Sequence, residues 1–199
     1  AVALSEDGTI VAVGAITGSS GAGYVKVFRQ NGANWDQVGQ TIEGRQLGDN
    51  LGKSLSISAD GHTVAIGAFQ AEAGTGAGYV QVYEFDGTAW TQVGKDIVGP
   101  NNGDRFGLSV ALTPGAGVLS IGANAHDGFG FTKNGLVQVY EEQDGSWTKI
   151  GRDIVGNADS RNLGVGLAIS SDGRTVAAGG PLSTATQDTN VGEAVIYDL

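Results

Sequence analysis

Cysteine and methionine are absent from this 199-residue chain, and only 3 residues are proline. Without cysteine the chain has neither disulfides nor thiolate metal ligands. No apolar run approaches the roughly 18 residues of a membrane-spanning helix, so we expect no membrane span. The apolar spacing of an amphipathic helix is also missing, whereas short alternating runs rich in Val and Ile are frequent, which predicts an all-β chain.

Positive charge is scarce as well. The chain has 11 Lys and Arg against 21 Asp and Glu, a formal net charge of −10. Nucleic-acid binding requires clustered basic side chains, and those of this chain are scattered, so nucleic acid is not an expected partner. Glycine, in contrast, is abundant at 35 residues, about two and a half times its usual share of roughly 7%.

The glycines belong to a unit that occurs four times. Four segments begin the unit: Ala1–Gly14, Gly52–Gly67, Gly107–Gly122 and Gly164–Gly179. Each is followed by an alternating segment, and three of these lead into a tryptophan segment. The tryptophans lie 55 and 57 residues apart, at Trp35, Trp90 and Trp147. A period of this length indicates an array of equivalent supersecondary units that bury their faces on one another.

Each unit predicts four strands, A to D in chain order. Strand A consists of small residues in an alternating pattern, and strand B is the most apolar of the four. Strand C carries aromatic residues, and strand D begins at the tryptophan and is the most polar. This gradient is typical of a β-propeller of four-stranded antiparallel blades, with small residues at the axis and polar residues at the rim. Strand B is predicted at Ile10–Ala15, Thr63–Ala68, Val118–Ala123 and Thr175–Gly179. The four blade units have the approximate bounds 1–45, 46–100, 101–156 and 157–199.

Turn chemistry separates two faces of the array. Three A–B links are tight Asp-Gly turns, at Asp7, Asp60 and Asp172, and the C–D links are equally short, whereas the B–C and D–A links are long. The long links share one face, and binding residues are commonly carried by loops on a rigid scaffold. We therefore expect a partner to contact this face, with Glu72, His126 and Asp127 as candidates.

Three aspartates form a candidate metal site. Asp49 and Asp104 recur in the D–A links, and Asp159 lies near the equivalent place in the next link. Acids from neighbouring blades are able to hold a cation, but a loop aspartate also commonly accepts a bond from a nearby backbone N–H. Both interpretations stay open. No cofactor is expected, with weak calcium binding at these aspartates as the alternative.

The repeated tryptophans have two interpretations. A large ring at one repeat position beside a strand is expected to fill the gap between blades. The alternative is a carbohydrate-binding ring formed by all three.

Two segments of the repeat carry a family resemblance: LGKSLSISADGHTVAIGA at Leu51–Ala68 and FGLSVALTPGAGVLSIGA at Phe106–Ala123. They resemble the FG-GAP repeat of integrin-α-like propellers, and more closely its bacterial and algal branch. The resemblance implies a β-propeller on a surface or secreted protein with a role in adhesion or matrix assembly. Integrin-type blades often carry a calcium loop between their first two strands, and the bare turns at Asp7, Asp60 and Asp172 depart from that pattern.

These observations predict a non-catalytic binding or structural module, extracellular or at the cell surface. Its expected partner is a protein or a glycan. A propeller enzyme acting on glycans and a purely architectural filament or wall subunit are the alternatives. Catalytic residues are expected to break a repeat where they enter it, and the deviations between these units are mild.

The fourth unit is predicted to lack strand D. Its strand C, Glu193–Leu199, is then an open edge, with Glu193, Val195 and Tyr197 as expected contacts. An edge without Lys or Pro invites the addition of another strand. We expect completion either by further sequence, within a propeller of more blades, or by self-assembly with a strand of another chain.

Overall fold

The computed structural model describes residues 1–17, 21–69, 76–157, 159, 161–181 and 192–199. These residues form 17 β-strands and no α-helix, so the prediction of an all-β chain is confirmed. The strands make four antiparallel sheets, I to IV, one for each repeat unit. In the described part of the chain, no helix is long and apolar enough to cross a membrane.

Each sheet takes its strands in chain order. Sheet I contains β1 Val2–Leu4, β2 Ile10–Ala15, β3 Tyr24–Asn31, β4 Asn34–Gln37 and β5 Ile42–Glu43. Sheet II contains β6 Leu51–Ile57, β7 Thr63–Ala68, β8 Tyr79–Phe85, β9 Trp90–Gln92 and β10 Ile97–Val98. Sheet III contains β11 Ser109–Leu112, β12 Val118–Ala123, β13 Leu136–Gln143 and β14 Ser146–Val155. Sheet IV contains β15 Gly166–Ile169, β16 Thr175–Gly180 and β17 Glu193–Asp198.

The outer strand D differs between the sheets. In sheets I and II it is split into two segments, and both segments pair with strand C. In sheet III it is one continuous strand of 10 residues. Sheet IV has only strands A to C among its described residues, so β17 lies at its edge.

The hydrophobic core is divided into three layers, each between two consecutive sheets. In the first layer, Val25 and Val27 of sheet I pack with Leu51, Ile66 and Trp90 of sheet II. The second layer joins sheets II and III, and the third joins sheets III and IV. Strand A of each later sheet lies against strands A and B of the preceding sheet. Each unit is therefore stabilised by its neighbours, as in other repeat proteins.

A glycine near the end of strand B lets consecutive sheets approach closely. At three such glycines an added Cβ would overlap the carbonyl oxygen of a glycine in the next sheet: Gly14, Gly67 and Gly122. Gly179 is the fourth member of this set. The nearest described atom to its Cβ position is the carbonyl oxygen of Gly166, 3.8 Å away in the same sheet. This part of sheet IV is therefore uncovered by the described residues.

The Asp-Gly turns between strands A and B are closed by their own side chains. In sheet II, Ser58 Oγ donates to Asp60 Oδ1 at 2.6 Å, and the His62 N–H donates to the same oxygen at 2.9 Å. The hydrogen bond from Ser58, followed by that from the His62 N–H, lowers the pKa of Asp60. Equivalent bonds lower the pKa of Asp7 and Asp172. The carboxylates of these aspartates therefore accept hydrogen bonds within their own turns.

Candidate functional site

The loop face is the face that carries the B–C links within sheets and the D–A links between them. On this face a buried polar residue stands two positions before the inward Leu51, Phe106 or Leu163 of the next sheet. Three residues occupy this position: Asp49, Asp104 and Arg161. The parallel bridges Gly23–Leu51 and Gly135–Leu163 have the same place in the repeat, so Asp49 and Arg161 stand at equivalent positions. The repeat counterpart of the two aspartates is thus Arg161, and Asp159 lies two residues before it.

Asp49 is fully buried and accepts hydrogen bonds at its Oδ2. They come from the backbone N–H groups of Arg45 (3.0 Å) and Gln46 (3.1 Å) and from the Tyr79 hydroxyl (2.7 Å). Arg45 places its Cζ 3.8 Å from the centroid of the Tyr79 ring and pairs with Asp96 at 2.5 Å. Burial, followed by the hydrogen bond to Asp49, raises the pKa of Tyr79 far above its usual value. Asp49 therefore caps its own link and ties it to β8.

Asp104 and His126 form a buried pair. Asp104 Oδ2 lies 2.7 Å from His126 Nδ1 and accepts a second bond from Asn101 Nδ2 at 3.1 Å. The side chains are 6% and 13% exposed. A carboxylate at Nδ1 orients the imidazole and leaves Nε2 as its other functional nitrogen. The structure thus joins a residue predicted for partner contact with one predicted for metal binding.

In the third pair the link residue is basic and its partner in the sheet is acidic. Arg161, from the link, pairs with Glu193 at the start of β17. The Arg161 side chain is 11% exposed, and its buried Nε has no hydrogen-bond partner among the described residues. In the first and third pairs the buried link residue is held by a side chain at the start of strand C of the next sheet, whereas Asp104 is held by His126 of the B–C link. All three pairs fasten the inner ends of the loops.

Further candidates brace the B–C link of sheet III, residues 124–134. Asp127 Oδ1 accepts the N–H of Lys133 at 2.6 Å, and Asp159 Oδ1 accepts the N–H of Thr132 at 2.7 Å. With the Asp104–His126 pair, four sequence-predicted residues therefore hold this single loop. Their hydrogen bonds go to the protein's own groups.

Phe129 stands at the tip of that loop. It is 85% exposed and has a φ of +53°, a left-handed conformation that is unusual for a bulky residue. Below it, the buried side chain of Asn134 accepts the N–H of Gly128 at 2.9 Å and donates to the Gly128 carbonyl at 3.0 Å. Leu47, in the link between sheets I and II, is 80% exposed on the same face. Sequence reasoning missed both, because the exposure of an apolar loop residue leaves no periodic signal.

No group of three or more His, Cys, Asp or Glu able to hold a metal ion occurs among the described residues. Asp49, Asp104 and Asp159 are thus not gathered into one cluster. Weak calcium binding at these residues stays a prediction. Glu72 lies outside the described residues.

Two of the three tryptophans, Trp90 and Trp147, lie between consecutive sheets. Trp90 is 3% exposed, and its Nε1 donates to the Val38 carbonyl of sheet I at 2.9 Å. The side-chain amide of Gln40 bonds to both the backbone N–H and the carbonyl of Trp90, at 2.9 and 2.7 Å. Trp147 is half-buried against sheet II, whereas Trp35, on the outer side of sheet I, is 44% exposed. Packing therefore accounts for the two tryptophans that have a preceding sheet.

The side chains predicted as edge contacts face sheet III. Val195 and Tyr197 pack in the third core layer, and Glu193 binds Arg161. Ile196, between them, is 72% exposed. The open edge of β17 is therefore a row of backbone groups together with Ile196.

Cavities of the described part lie at junctions between sheets. One of about 470 Å³, at the A–B turns of sheets II and III, is lined by Asp60, Glu142 and Trp147 among others. Another of about 420 Å³ lies between β14 and the end of β17. Neither is lined by His126 or Asp104.

Comparison with known proteins supports the fold. No family model matches the sequence, and no curated protein matches it. Among solved structures, the chain is similar to the hydrazine synthase of Kuenenia stuttgartiensis, with a TM-score of 0.61 and 16% identity over 99% of this chain and 50% of that one. It is also similar to a candidate 6-phosphogluconolactonase of Bacteroides uniformis, with a TM-score of 0.59 and 14% identity over 99% of this chain and 54% of that one.

Both neighbours are of the β-propeller type, and both carry the names of enzymes. At this level of identity the likeness shows the fold alone. The chain spans about half the length of these structures. The expectation that the chain is not an enzyme and its resemblance to the FG-GAP family both stay predictions.

Proposed function

We propose that the four sheets are blades of a β-propeller of the FG-GAP type and that this propeller is a non-catalytic binding module. Its location is extracellular or at the cell surface, and its partner is a protein or glycan that contacts the loop face. The radial order of strands, with strand A innermost and the polar strand D outermost, supports the propeller. The similarity to propeller proteins supports it independently.

The exposure and conformation of Phe129 are the main support for the binding role. Three hydrogen-bonded aspartates, His126 and a buried asparagine hold its loop in one shape, and the ring projects into solvent at the tip. A bulky residue kept in a left-handed, exposed conformation is costly for folding and is typical of a contact site. Leu47 adds a second apolar side chain to the same face. A rigid face with projecting apolar residues favours a protein partner.

The enzyme alternative has one observation in its favour. The Asp104–His126 pair has the geometry that orients a histidine as a general base. The histidine side chain is only 13% exposed, however, and the two junction cavities described above are lined by other residues. The pair also joins a link to its sheet, as the pairs at Asp49 and Arg161 do. A structural role therefore accounts for its recurrence.

The test measures binding of purified surface-matrix proteins and of a glycan array to the chain. We expect the double variant Phe129→Ser with Leu47→Ser to lose at least tenfold in affinity for any ligand bound by the parent. Its melting temperature should be unchanged or higher, because both side chains are exposed. Leu4→Ser is the matched control, since Leu4 is 60% exposed on β1, away from these loops.

If the double variant retained full affinity, the loop face would not be the binding surface. A panel of hydrolase substrates that includes 6-phosphogluconolactone tests the enzyme alternative in parallel. Turnover that disappears in His126→Gln, with the fold intact, would replace the binding proposal by a catalytic one.

A further inference from the structure

The outer half of each junction between sheets contains a site for a tryptophan. At the junction of sheets I and II, Trp90 covers Gly39, where an added Cβ would lie 2.6 Å from the indole Cδ1. The Phe85 ring, opposite Trp90 in the β8–β9 pair, lies 5.2 Å from it between centroids. The site thus consists of a glycine of the preceding sheet and an apolar residue of strand C.

The junction of sheets II and III repeats the glycine and the tryptophan, but its residue of strand C is Glu142. The equivalent glycine is Gly94, whose Cβ position is 3.7 Å from Trp147 Cδ1. Trp147 pairs with Glu142 across β13 and β14. At both junctions the tryptophan therefore comes from strand D of the later sheet and sits on a positive-φ glycine of the earlier one.

The junction of sheets III and IV has the site without the tryptophan. Gly151 has a φ of +65°, and the only described atom within 4 Å of its Cβ position is Leu199 Cδ2 at 3.5 Å. A groove of about 420 Å³ begins there and is lined by Ile154, Val155 and Tyr197. Leu199 holds the place that Phe85 holds in sheet II. The groove is therefore the third member of a set whose first two members contain tryptophan.

The backbone beside the groove is ready to pair. The N–H of Leu199 donates to the Arg174 carbonyl of the neighbouring link at 2.8 Å. Because N–H groups alternate in direction along a strand, those of Ile196 and Asp198 point away from β16. They face the side on which strand D lies in the other sheets. Ile196 is 72% exposed on this strand, and β17 contains no Lys or Pro to discourage pairing.

We propose that β17 and the Gly151 groove form an acceptor for an extended peptide segment that carries a tryptophan followed four residues later by glycine. The segment pairs antiparallel with β17, and its tryptophan lies opposite Leu199 and covers Gly151. Its chemistry is that of the chain's own strand D, which reads Trp-Thr-Gln-Val-Gly or Trp-Thr-Lys-Ile-Gly in sheets II and III. This interaction surface adjoins the loop face, because Phe129 also lines the groove. Strand addition supplies affinity through the backbone and specificity through the indole.

A synthetic peptide tests the acceptor. The peptide DGTAWTQVGKDI, which copies Asp86–Ile97, is labelled with fluorescein and titrated with the 199-residue chain. We expect saturable binding, and at least tenfold weaker binding of the same peptide with alanine in place of tryptophan. A hydrogen-exchange measurement of the complex should show new protection in β17.

Two variants of the chain locate the site. Ile196→Pro removes an outward N–H and keeps every bond to β16, so we expect it to weaken binding of the peptide at least tenfold. Leu199→Asp, at the last residue, should do the same without affecting the fold. Leu4→Asp is the matched control, because Leu4 is exposed on β1 of sheet I and should leave binding unchanged.

Three outcomes would overturn the proposal. The first is the absence of saturable binding by the tryptophan peptide. The second is equal binding by the alanine peptide or by the Ile196→Pro and Leu199→Asp chains. The third is a concentration-dependent dimer that Leu199→Asp abolishes and the peptide does not disturb, which would assign the groove to a second copy of the chain.

Discussion

Single side chains fasten this array at a few repeated positions. Trp90 illustrates the principle: its indole is buried on the preceding sheet, its Nε1 is bonded to a carbonyl, and its backbone is bonded to Gln40. Trp35 has the same place in the repeat but is 44% exposed. The same residue type therefore contributes to stability at one position and little at the other, because only one has a neighbouring sheet to cover.

Replacement of these tryptophans measures the difference. Trp90→Ala should lower the free energy of unfolding by about 3–5 kcal/mol, the usual cost of removing a buried aromatic ring. Trp35→Ala should change it by less than about 1 kcal/mol, as expected for a partly exposed surface residue. Urea denaturation at neutral pH gives both values. Equal losses in the two variants would show that Trp35 is covered in solution.

The turn aspartates predict the response to acid. Hydrogen bonds within the turns lower the folded-state pKa of Asp7, Asp60 and Asp172 below the usual 3.8. A carboxylate with a lowered folded-state pKa stabilises the protein at pH values above its unfolded-state pKa. That contribution is lost as the pH falls through the lowered value. The contribution of these three carboxylates to the free energy of unfolding should therefore be nearly constant down to about pH 4 and should decline below it.

A variant with Asn at all three positions separates this effect from general acid unfolding. Its free energy of unfolding should be lower than that of the parent at pH 6, and the two curves should converge as the pH falls below about 4. Urea denaturation between pH 2 and pH 7 supplies the curves. A constant difference over that range would mean that ionisation of the turns is irrelevant to stability.

At the scale of the strands, the sequence predicts best where burial is uniform. Strands β2, β7 and β12 have the predicted bounds, and β16 is one residue longer than predicted. Val, Ile and Ala fill these strands, and β7 and β12 are covered on both faces, so their pattern contains little ambiguity. Strand D was predicted as one element but is split in sheets I and II, near Gly39 and Gly94. That interruption depends on the tryptophan of the next sheet, which no local pattern reveals.

The candidate site was predictable only in part. The link aspartates stood out because they recur, yet their partners lie far along the chain: Tyr79 is 30 residues from Asp49, and His126 is 22 from Asp104. The sequence contains one further signal for this site that the analysis of single positions does not detect. Arg161 and Glu193 stand at the repeat positions of Asp49 and Tyr79, and their opposite charges are complementary. Comparison of repeat-equivalent pairs, instead of single positions, would have identified this set.

At the scale of the molecule, stability resides in three interfaces between four sheets. Sheets II and III each have core layers on both faces, whereas sheets I and IV each have one among the described residues. The uncovered faces carry exposed apolar residues, Val2 and Leu4 on sheet I and Ile196 on sheet IV. In such an array, stability is approximately a sum of units and nearest-neighbour contacts. The end sheets should therefore open more readily than the middle ones.

Native-state hydrogen exchange resolved by strand tests this arrangement most directly. The account predicts the slowest exchange in β7, β8, β12 and β13, faster exchange in β1 and β17, and slowing of β17 when the tryptophan peptide is added. Equal protection of all four sheets in the chain alone, together with no change at β17 on adding the peptide, would contradict it. Such a result would mean that sheets I and IV cover each other and that the array has no open end.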